Sequence, residues 1–551
     1  MRSLKIYLIL LLSVLAHQNT IARMADDMPK SGATAKEWAS LGKVWGLIKY
    51  HHPAITKGKM NWDSVLLKTI PVYDQAADKK TREQLIMKMV QDLGPLPPST
   101  PDSVIANIRN KPDLSWIKNS GFSAGLASGL ENISKQHTPG KQRYVDFMKD
   151  SGLAISLFIN ENPYPEVTYP SLEYRLLAVF RYWNIVEYWY PYKDLTKEKW
   201  SVNLDKFIAD AISAKDEPAY FKLVQNMVAT IRDSHGYAAS RRSQQLIGYN
   251  TMPFSVKFIG QQAVVNWVDT AYKGTDLKKG DVLQNINGLA VETILDNYRP
   301  YVSASNEAVV KREVARLLPR SPDSVVRISL LSANGNTKEL TLKAKQMDAR
   351  FGAKVYDFAH QRDSSFFIKE DILYINPGKF FDEQAKLVIP KLPGLKGIIF
   401  DTRQYPARGA GSIVNVLEQI MEKPGKMNLF STVVDGYPGY FKFADGYTIE
   451  AKNPGTFKGM VAILVNEETQ STAEFTAMAL KLAPNARVIG STTAGADGNV
   501  TTPFNFPGGI RTTFTTIGVF YPDKGQTQQI GIVPDVRVEQ TLEGYRNGRD
   551  E

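Results

Sequence analysis

Apolar residues in the N-terminal half of the chain recur at the spacing of amphipathic helices, and two of these stretches match each other. Residues 45–53 and 183–191 share a leading Trp, a Tyr at the same offset and a final Pro, and a second Trp follows each at the same distance, at Trp62 and Trp200. Each stretch stops at its proline, as helices do. We therefore predict an internal repeat of two helical units.

The two predicted copies differ where they end. The second copy ends in Asp233, Ser234 and His235, whereas the aligned place in the first copy carries Pro97 at the histidine position. The stretch between the copies, roughly residues 95–168, is polar with several Pro and Gly, and we predict irregular structure with short helices. Only the second copy therefore ends in residues able to do acid–base chemistry.

From about residue 250 the pattern changes to short β-rich runs, and from about residue 365 buried-strand runs alternate with helices. The first set of predicted strands is 254–258, 263–268, 282–286 and 325–330. The second set is 372–375, 397–400, 461–465 and 487–490, with helices at 413–421 and 472–482. The second pattern indicates an α/β domain with a largely parallel sheet.

The amino-acid composition narrows the classes of function that this protein can have. The 551 residues are 43% hydrophobic and 22% charged, an ordinary globular balance for three or four domains. The net charge of +11 comes from scattered Lys and Arg, so we predict a basic surface and no nucleic-acid partner. The chain has no Cys, which excludes disulfides and thiol nucleophiles. It has no His-Glu-x-x-His pair and no phosphate loop, so we predict no metal and no other cofactor.

Residues 1–22 have the pattern of a secretory signal. Arg2 and Lys5 precede an apolar run, 7–16, that is shorter than the about 20 residues of a membrane span. Small residues at 20–22 offer a cleavage site. We predict export to the periplasm or cell envelope, with no membrane span after removal of the signal. An uncleaved anchor is the alternative.

A serine stands at a predicted strand–helix junction. Ser471 follows the strand 461–465 and opens the next helix, with Glu474 three residues further on. The carboxyl ends of such strands are where α/β sheets place their sites, and helix N-terminal amides can stabilise an oxyanion. A serine at a helix start is also an ordinary N-cap, so these residues alone leave both interpretations open.

Three segments together resemble the tail-specific, or C-terminal processing, peptidase family. They are the Ser-x-x-Glu segment at Ser471, the strand 397–401 with its Gly-containing loop, and residues 277–288, which are similar to a PDZ signature with a Lys-Gly-Asp turn and a final Asn-Gly. The resemblance covers roughly residues 170–545. It implies a multidomain α/β protein with a crotonase-like, ClpP-like peptidase core, an inserted PDZ-like β domain and an N-terminal helical repeat region.

The resemblance also implies domain boundaries. We expect a signal peptide at 1–22, an N-terminal helical region with the first repeat copy at 27–165, a helical domain with the second copy at 168–247, a PDZ-like domain at 250–345 and the peptidase core at 365–545.

The resemblance implies that Ser471 is the nucleophile. The common branch of the family uses a lysine base, and here Ala496 stands at that position. The other branch, similar to the tricorn core, uses a histidine preceded by a serine in a distant N-terminal segment, and Ser234 and His235 match that pattern. His235 is therefore the expected general base, because histidine is the residue type suited to proton transfer near neutral pH.

The third catalytic residue stays open. That branch has a Glu before a Gly-x-x-Pro-Asp segment, and here the place carries Gln528, which can orient His235 as an amide without supplying charge. Asp233, Asp497 and Asp535 are alternative carboxylates, and the Ser234 hydroxyl is a further candidate for holding the ring.

The oxyanion hole needs two donors. The backbone N–H of Thr472 is the expected first donor. The second is expected between Ala407 and Gly411, with Gly409 and Gly411 as candidates, although this loop departs from the family's glycine pattern.

The function implied is that of an exported serine endopeptidase that cleaves peptides or unfolded protein tails through a Ser471 acyl-enzyme. The missing acid at Gln528 favours one alternative, a catalytically degenerate peptide-binding or scaffold protein of the envelope. A hydrolase of non-peptide acyl compounds is the other, because the same machinery cleaves esters. The expected partners are peptides or protein C-terminal tails, and the sequence leaves the oligomeric state open.

Overall fold

The computed structural model describes residues 32–98, 105–150, 153–167, 169–240, 248–269, 275–346, 365–406 and 409–551. The predicted signal at 1–22 and two residues of the predicted oxyanion loop, Ala407 and Arg408, lie outside these ranges. Within them the fold is mixed α/β and is built of several units. No helix in these ranges is long and apolar enough to cross a membrane.

Residues 32–240 form a largely helical region. Its helices are Ala35–His51, Pro53–Thr56, Trp62–Asp74, Lys79–Gln91, Trp116–Asn119, Ala124–Ser134, Leu172–Trp189, Trp200–Ser213 and Glu217–Thr230. The longest two, Ala35–His51 and Leu172–Trp189, are buried on most of their circumference. Thr34 caps the first of them, and each ends just before a proline, whose missing N–H cannot continue the hydrogen-bond ladder.

The two long helices cross where one of them has small residues. A Cβ on Gly46 would lie 1.8 Å from Oδ1 of Asn184, and a Cβ on Gly42 would lie 2.6 Å from the ring of Phe180. The repeat aligns Gly42 with Phe180 and Gly46 with Asn184, so each glycine meets the large residue at its own equivalent position. Asn184 also donates a hydrogen bond to the Gly42 carbonyl at 3.0 Å. The glycines therefore permit the close approach of the two helices.

Each copy contains the same pair of hydrogen bonds between two tryptophans. Trp45 Nε1 donates to the Trp62 carbonyl at 3.2 Å, and Trp62 Nε1 donates to the Trp45 carbonyl at 2.9 Å. Trp183 and Trp200 exchange the same two bonds at 3.2 and 3.0 Å. A buried indole N–H needs a partner, so each pair fixes a long helix against the helix that follows it.

Residues 250–346, called the sheet unit below, form an antiparallel sheet with two helices. In spatial order its main strands are Thr337–Lys343, Val325–Leu331, Val282–Ile286, Gln262–Val268 and Phe254–Ile259, with a short strand, Leu289–Ala290, paired to the third. Its helices are Val291–Tyr298 and Glu307–Leu317. The helix Glu307–Leu317 packs on one face of the sheet, and Ile259, Val264 and Val282 form a smaller apolar cluster on the other.

Residues 365–540, called the core below, contain a six-stranded sheet. Its order is Ser365–Lys369, Ile372–Ile375, Gly397–Asp401, Met460–Val465, Ala486–Gly490 and Val536–Arg537. The first pair is antiparallel and the other pairs are parallel. The helices of the core are Asp382–Val388, Gly411–Ile420 and Thr472–Leu480. The predicted strands and helices of the core and of the sheet unit are confirmed to within two residues.

The parallel strands place the site. The carboxyl ends at Asp401, Val465 and Gly490 share one edge of the sheet, because Asp401 pairs with Leu464 and Val465 with Gly490. This edge carries the loop 401–411 and the turn that leads into the helix Thr472–Leu480. A second sheet, ordered Ile108–Asn110, Phe441–Asp445, Leu429–Val433 and Gly518–Phe520, joins the helical region to the core.

Candidate active site

Ser471 occupies the sharp turn between the strand Met460–Val465 and the helix Thr472–Leu480. Its backbone has φ 56° and ψ −123°, a region whose occupation by a non-glycine residue costs on the order of 1–3 kcal/mol. Its N–H donates to the Ala496 carbonyl at 3.0 Å. An ordinary helix-capping residue of this chain has an extended backbone instead: Asp216, whose side chain caps the helix Glu217–Thr230, has φ −152°. A strained serine at a strand-to-helix turn is the geometry of a nucleophile elbow, which presents the hydroxyl at the sheet edge.

The buried carboxylate of Glu474 holds the backbone around this turn. It accepts hydrogen bonds from the N–H groups of Gly495 and Ala496 at 2.8 and 2.9 Å and from the Thr493 hydroxyl at 2.5 Å. The Ser471 N–H lies 3.3 Å from the same carboxylate. Burial raises the pKa of Glu474 above its usual value, although these donors act in the opposite direction. The Glu of the Ser-x-x-Glu pattern therefore fixes residues 493–496, called the segment under Ser471 below.

His235 lies on the loop after the helix Glu217–Thr230, and its Nδ1 is held from one side. Nδ1 is 2.9 Å from Thr515 Oγ1 and 3.5 Å from Asp233 Oδ1. The fully buried Asp233 also accepts hydrogen bonds from the N–H groups of His235 and Thr515 at 3.0 and 2.7 Å. Burial alone would raise the pKa of Asp233, but the hydrogen bonds and charge of His235 and the Thr515 N–H lower it below its usual value. A carboxylate that stays charged beside Nδ1 stabilises an imidazolium.

The turn that carries Ser471 and the loop that carries His235 are hydrogen-bonded to each other. Gln470 Nε2 donates to the Ser234 carbonyl at 3.3 Å. Arg312 of the sheet unit donates to Gln470 Oε1 at 2.6 Å. Helical region, sheet unit and core therefore meet at the residues that precede Ser471 and His235.

The Ser234 hydroxyl is directed toward the sheet unit. Its Oγ lies 2.9 Å from Ser305 Oγ and 3.4 Å from the Ala494 carbonyl, and the Ser305 N–H donates to it at 2.9 Å. Among the described residues it forms no hydrogen bond with the imidazole of His235. In this arrangement Ser234 connects the histidine loop to the sheet unit.

Gln528 is fully buried, and neither atom of its amide has a hydrogen-bond partner among the described residues. The N–H of the next residue, Gln529, donates to the Gly495 carbonyl at 2.7 Å. Gln528 therefore lies beside the segment under Ser471, with its amide uncommitted to any described side chain.

Of the three carboxylates left open by the sequence, Asp233 is the one beside the imidazole. Asp497 is buried with its Oδ2 unpartnered among the described residues, and burial together with the charge of Glu474 raises the pKa of Asp497 well above its usual range. Asp535 accepts a hydrogen bond from the Val488 N–H at 2.7 Å and so joins two strands of the core. Geometry and charge both favour Asp233 as the partner of the histidine.

The loop 401–411 approaches the helix that Ser471 begins. The Tyr405 hydroxyl donates to Thr472 Oγ1 at 3.0 Å. Thr472 is the first residue of that helix, where a backbone N–H has no partner within the helix. Gly409 is exposed with φ 78°, and Gly411, also exposed, begins the helix Gly411–Ile420. Within the described residues, no group of His, Asp or Glu side chains is arranged to hold a metal ion.

Residues 371–538 match the sequence model of peptidase family S41. This segment includes Ser471 and the loop 401–411, whereas His235 precedes it. None of the curated protein sequences matches the chain.

The chain is also similar to several solved structures. With mature CPAF in complex with lactacystin it shares 13% identity at a TM-score of 0.53, over 68% of this chain and 95% of that one. A putative peptidase from Parabacteroides merdae matches at 15% identity and a TM-score of 0.41, over 69% and 94%. The photosystem II D1 C-terminal processing protease matches at 18% identity and a TM-score of 0.35, over 67% and 96%. The likeness to CPAF shows a shared fold.

Proposed function

We propose, from the premise that residues 371–538 are the core of a serine peptidase of family S41, that this chain is an exported endopeptidase of the tail-specific, C-terminal processing type. Ser471 is its nucleophile and His235 its general base. One observation carries the proposal: the strained Ser471 turn is hydrogen-bonded, through Gln470, to the loop of a histidine that has a buried carboxylate behind it. A serine that only capped a helix would need neither the strain nor the histidine.

The first half of the reaction forms an ester on the enzyme. His235 Nε2 takes the proton of the Ser471 hydroxyl while Oγ bonds to the scissile carbonyl carbon, and the carbonyl π pair moves onto oxygen. The Thr472 N–H and a second donor at Gly409 or Gly411 stabilise this oxyanion. His235 then gives its proton to the leaving amine as the C–N bond breaks.

The second half releases the product. His235 takes a proton from a water whose oxygen attacks the ester carbonyl, and the tetrahedral species collapses as the proton returns to Ser471 Oγ. Asp233 stays charged and stabilises the imidazolium in both halves, and Thr515 holds the ring in place. Gln528, beside the segment under Ser471, then needs to supply no charge.

The substrates are peptides or unfolded protein tails. The sheet unit corresponds to the PDZ-like domain proposed at 250–345, set between the proposed helical domains at 27–165 and 168–247 and the core at 365–545. A sheet that ends at the strand Phe254–Ile259 beside a helix suits the addition of an extended peptide as a further strand. A peptide with a free C-terminal carboxylate should be cleaved faster than the same peptide amidated, and equal rates would contradict recognition of tails.

Export rests on the proposed signal at 1–22. Protein recovered from the cell envelope should begin near residue 23 when its N-terminus is sequenced. An envelope protein that still begins at Met1 would support the uncleaved anchor instead.

The catalytic proposal is tested by incubating wild type and Ser471→Ala with alkylated casein, an unfolded protein, and with a simple acyl ester. Wild type should cleave casein near neutral pH, and the variant should be slower by at least about 10³-fold. Hydrolysis of the ester alone would favour the non-peptide acyl hydrolase. The amide at Gln528 favours the degenerate scaffold, for which the outcome is tight peptide binding with no turnover of either substrate.

A further inference from the structure

Residues 541–551, called the clasp segment here, form a short structured piece between the sheet unit and the loop 401–411. The helix Leu542–Arg546 begins after Thr541, whose side chain caps it. Glu551 folds back and accepts a hydrogen bond from the Thr541 hydroxyl at 2.6 Å. The clasp segment therefore holds its own shape.

One side of the clasp segment binds the sheet unit. Leu542 and Tyr545 pack against the apolar cluster on the outer face of the sheet. The Tyr545 hydroxyl donates to Asn266 Oδ1 at 2.7 Å, and Arg546 Nε donates to the Gly280 carbonyl at 2.9 Å. The clasp segment is thus attached through both apolar and polar contacts.

The other side of the clasp segment binds Arg403. Asp550 accepts hydrogen bonds from Nη1 and Nη2 of Arg403 at 2.7 and 3.0 Å. The same guanidinium uses Nε and Nη2 to bind the buried Asp401 at 2.7 and 2.8 Å. The Arg403 side chain is only 12% exposed, against 34% for Asp550. A guanidinium held in two such pairs is fixed in plane and position.

Arg403 stands within the loop that contacts the Ser471 turn. The carbonyl of the preceding residue, Thr402, accepts a hydrogen bond from Thr469 Oγ1 at 3.1 Å. Two residues after it, Tyr405 donates to Thr472 at 3.0 Å. The position of Arg403 therefore affects where the loop backbone lies relative to the Ser471 turn and the proposed oxyanion donors.

We propose that Asp550 is a positioning residue for the reaction: through Arg403 the clasp segment holds residues 401–406, which lead toward the second oxyanion donor, in the position that the reaction requires. The inference rests on the proposed function of Ser471. It also makes the sheet unit part of the support of these residues, because the clasp segment is bound to both.

The test compares three variants of the full chain. Asp550→Asn removes the charge, Asp550→Glu keeps it, and Glu543→Gln makes the same charge change on another exposed carboxylate of the clasp segment. The readout is the rate of labelling by a fluorophosphonate, resolved into the maximum rate and the half-saturating concentration.

Asp550→Asn should lower the maximum rate about tenfold with little change in the half-saturating concentration, because a displaced donor weakens stabilisation of the transition state more than binding of the probe. Asp550→Glu should recover most of the rate, and Glu543→Gln should match wild type. Labelling of Asp550→Asn at the wild-type rate, or faster, overturns the inference.

A second readout is independent of catalysis. Amide hydrogen exchange of the peptide spanning 402–412 should be about three- to fivefold faster in Asp550→Asn than in Glu543→Gln, the size expected of a partly exposed ion pair. Unchanged exchange overturns the inference even if no variant is labelled. Failure of wild type to label, with exchange accelerated as expected, would instead count against the proposed function and leave the clasp supported.

Discussion

The two helical copies share a framework and differ in what they carry. In both, two tryptophans 17 residues apart exchange indole–carbonyl hydrogen bonds. The second copy ends in the loop 233–235, which reaches the core, whereas the first ends near the exposed Pro97. The histidines of the first copy are buried: Nδ1 of His51 bonds the Leu47 carbonyl at 3.0 Å. The shared tryptophan pairs support the proposed repeat as a packing unit, and the proposed acid–base chemistry stands at one end of one copy only.

The two copies also differ in their buried charged residues. Lys49 of the first copy lies 2.6 Å from Glu161, and Arg181 of the second binds Glu161 at 2.7 Å and Asp63 at 2.6 Å, all without appreciable exposure. At the position that aligns with Lys49, the second copy has Glu187, which pairs with a lysine nearer to solvent at 2.8 Å. The aligned position thus belongs to a group of four buried charges in one copy and to a single lysine–carboxylate pair in the other. The four residues, called the buried quartet below, are Lys49, Asp63, Glu161 and Arg181.

Removing the base should have the largest effect. His235→Ala should slow cleavage of casein by about 10⁴-fold, because proton removal from Ser471 loses its acceptor. The matched control is Pro97→Ala at the aligned position of the first copy, which should cleave at the wild-type rate. A His235→Ala rate within tenfold of wild type would place the base elsewhere.

The buried quartet should dominate the stability of the helical region. Lys49→Met leaves two carboxylates facing one guanidinium and should cost about 3–5 kcal/mol in the free energy of unfolding, measured by urea and helical circular dichroism. Glu187→Gln, at the aligned position, keeps an acceptor for the single lysine and should cost less, about 1.5–3 kcal/mol. Equal losses in the free energy of unfolding would show that the two positions contribute equally to stability.

The residues that hold the imidazole should come next. Asp233→Asn removes the charge that stabilises the imidazolium and should slow casein cleavage about 10²-fold. Thr515→Val removes only the neutral partner of Nδ1 and should slow it about tenfold. A larger effect for Thr515 than for Asp233 would mean that orientation, and not charge, is what the histidine needs.

The smallest effect is expected at Asp497. Its folded pKa is raised, so the folded state binds a proton that the unfolded chain has released, and stability falls as pH rises above the unfolded pKa of about 4. Asp497→Asn carries no such penalty and should be more stable than wild type at pH 8, with little difference at pH 4. Thermal unfolding at the two pH values checks this, and a variant less stable at pH 8 would contradict it.

The eight strands predicted in the sheet unit and the core could be predicted because each is a short local run of mainly apolar and β-branched residues. Two pieces of the region 95–168 could not be predicted as simply. The hairpin of Val145–Asp150 and Leu153–Phe158 contradicts the irregular structure expected there, although a Ser-Gly pair between two partly apolar runs was a usable signal. The strand Ile108–Asn110 is short and polar and exists through its pairing with Phe441–Asp445, a partner that the local sequence does not reveal.

The sequence offers candidate site residues where motif and position coincide, as at Ser471 and His235, and their roles stay predictions. The partners of the histidine were not predictable, because Thr515 meets His235 across 280 residues of chain. The link from Arg312 to Gln470 spans 158 residues and is equally invisible to local patterns. Asp233 stood two residues before the histidine, and that spacing lets its carboxylate bond the His235 N–H, a signal that pointed to it without deciding among the candidates.

The central claim is that Ser471 of the core and His235 of the second helical copy act as one site. Its most direct test is to react the protein with a fluorophosphonate and to locate the adduct by peptide mass spectrometry in wild type, Pro97→Ala and His235→Ala. We predict an adduct on Ser471 in the first two and almost none in His235→Ala. An adduct on another serine, or equal occupancy of Ser471 in His235→Ala, would contradict the claim.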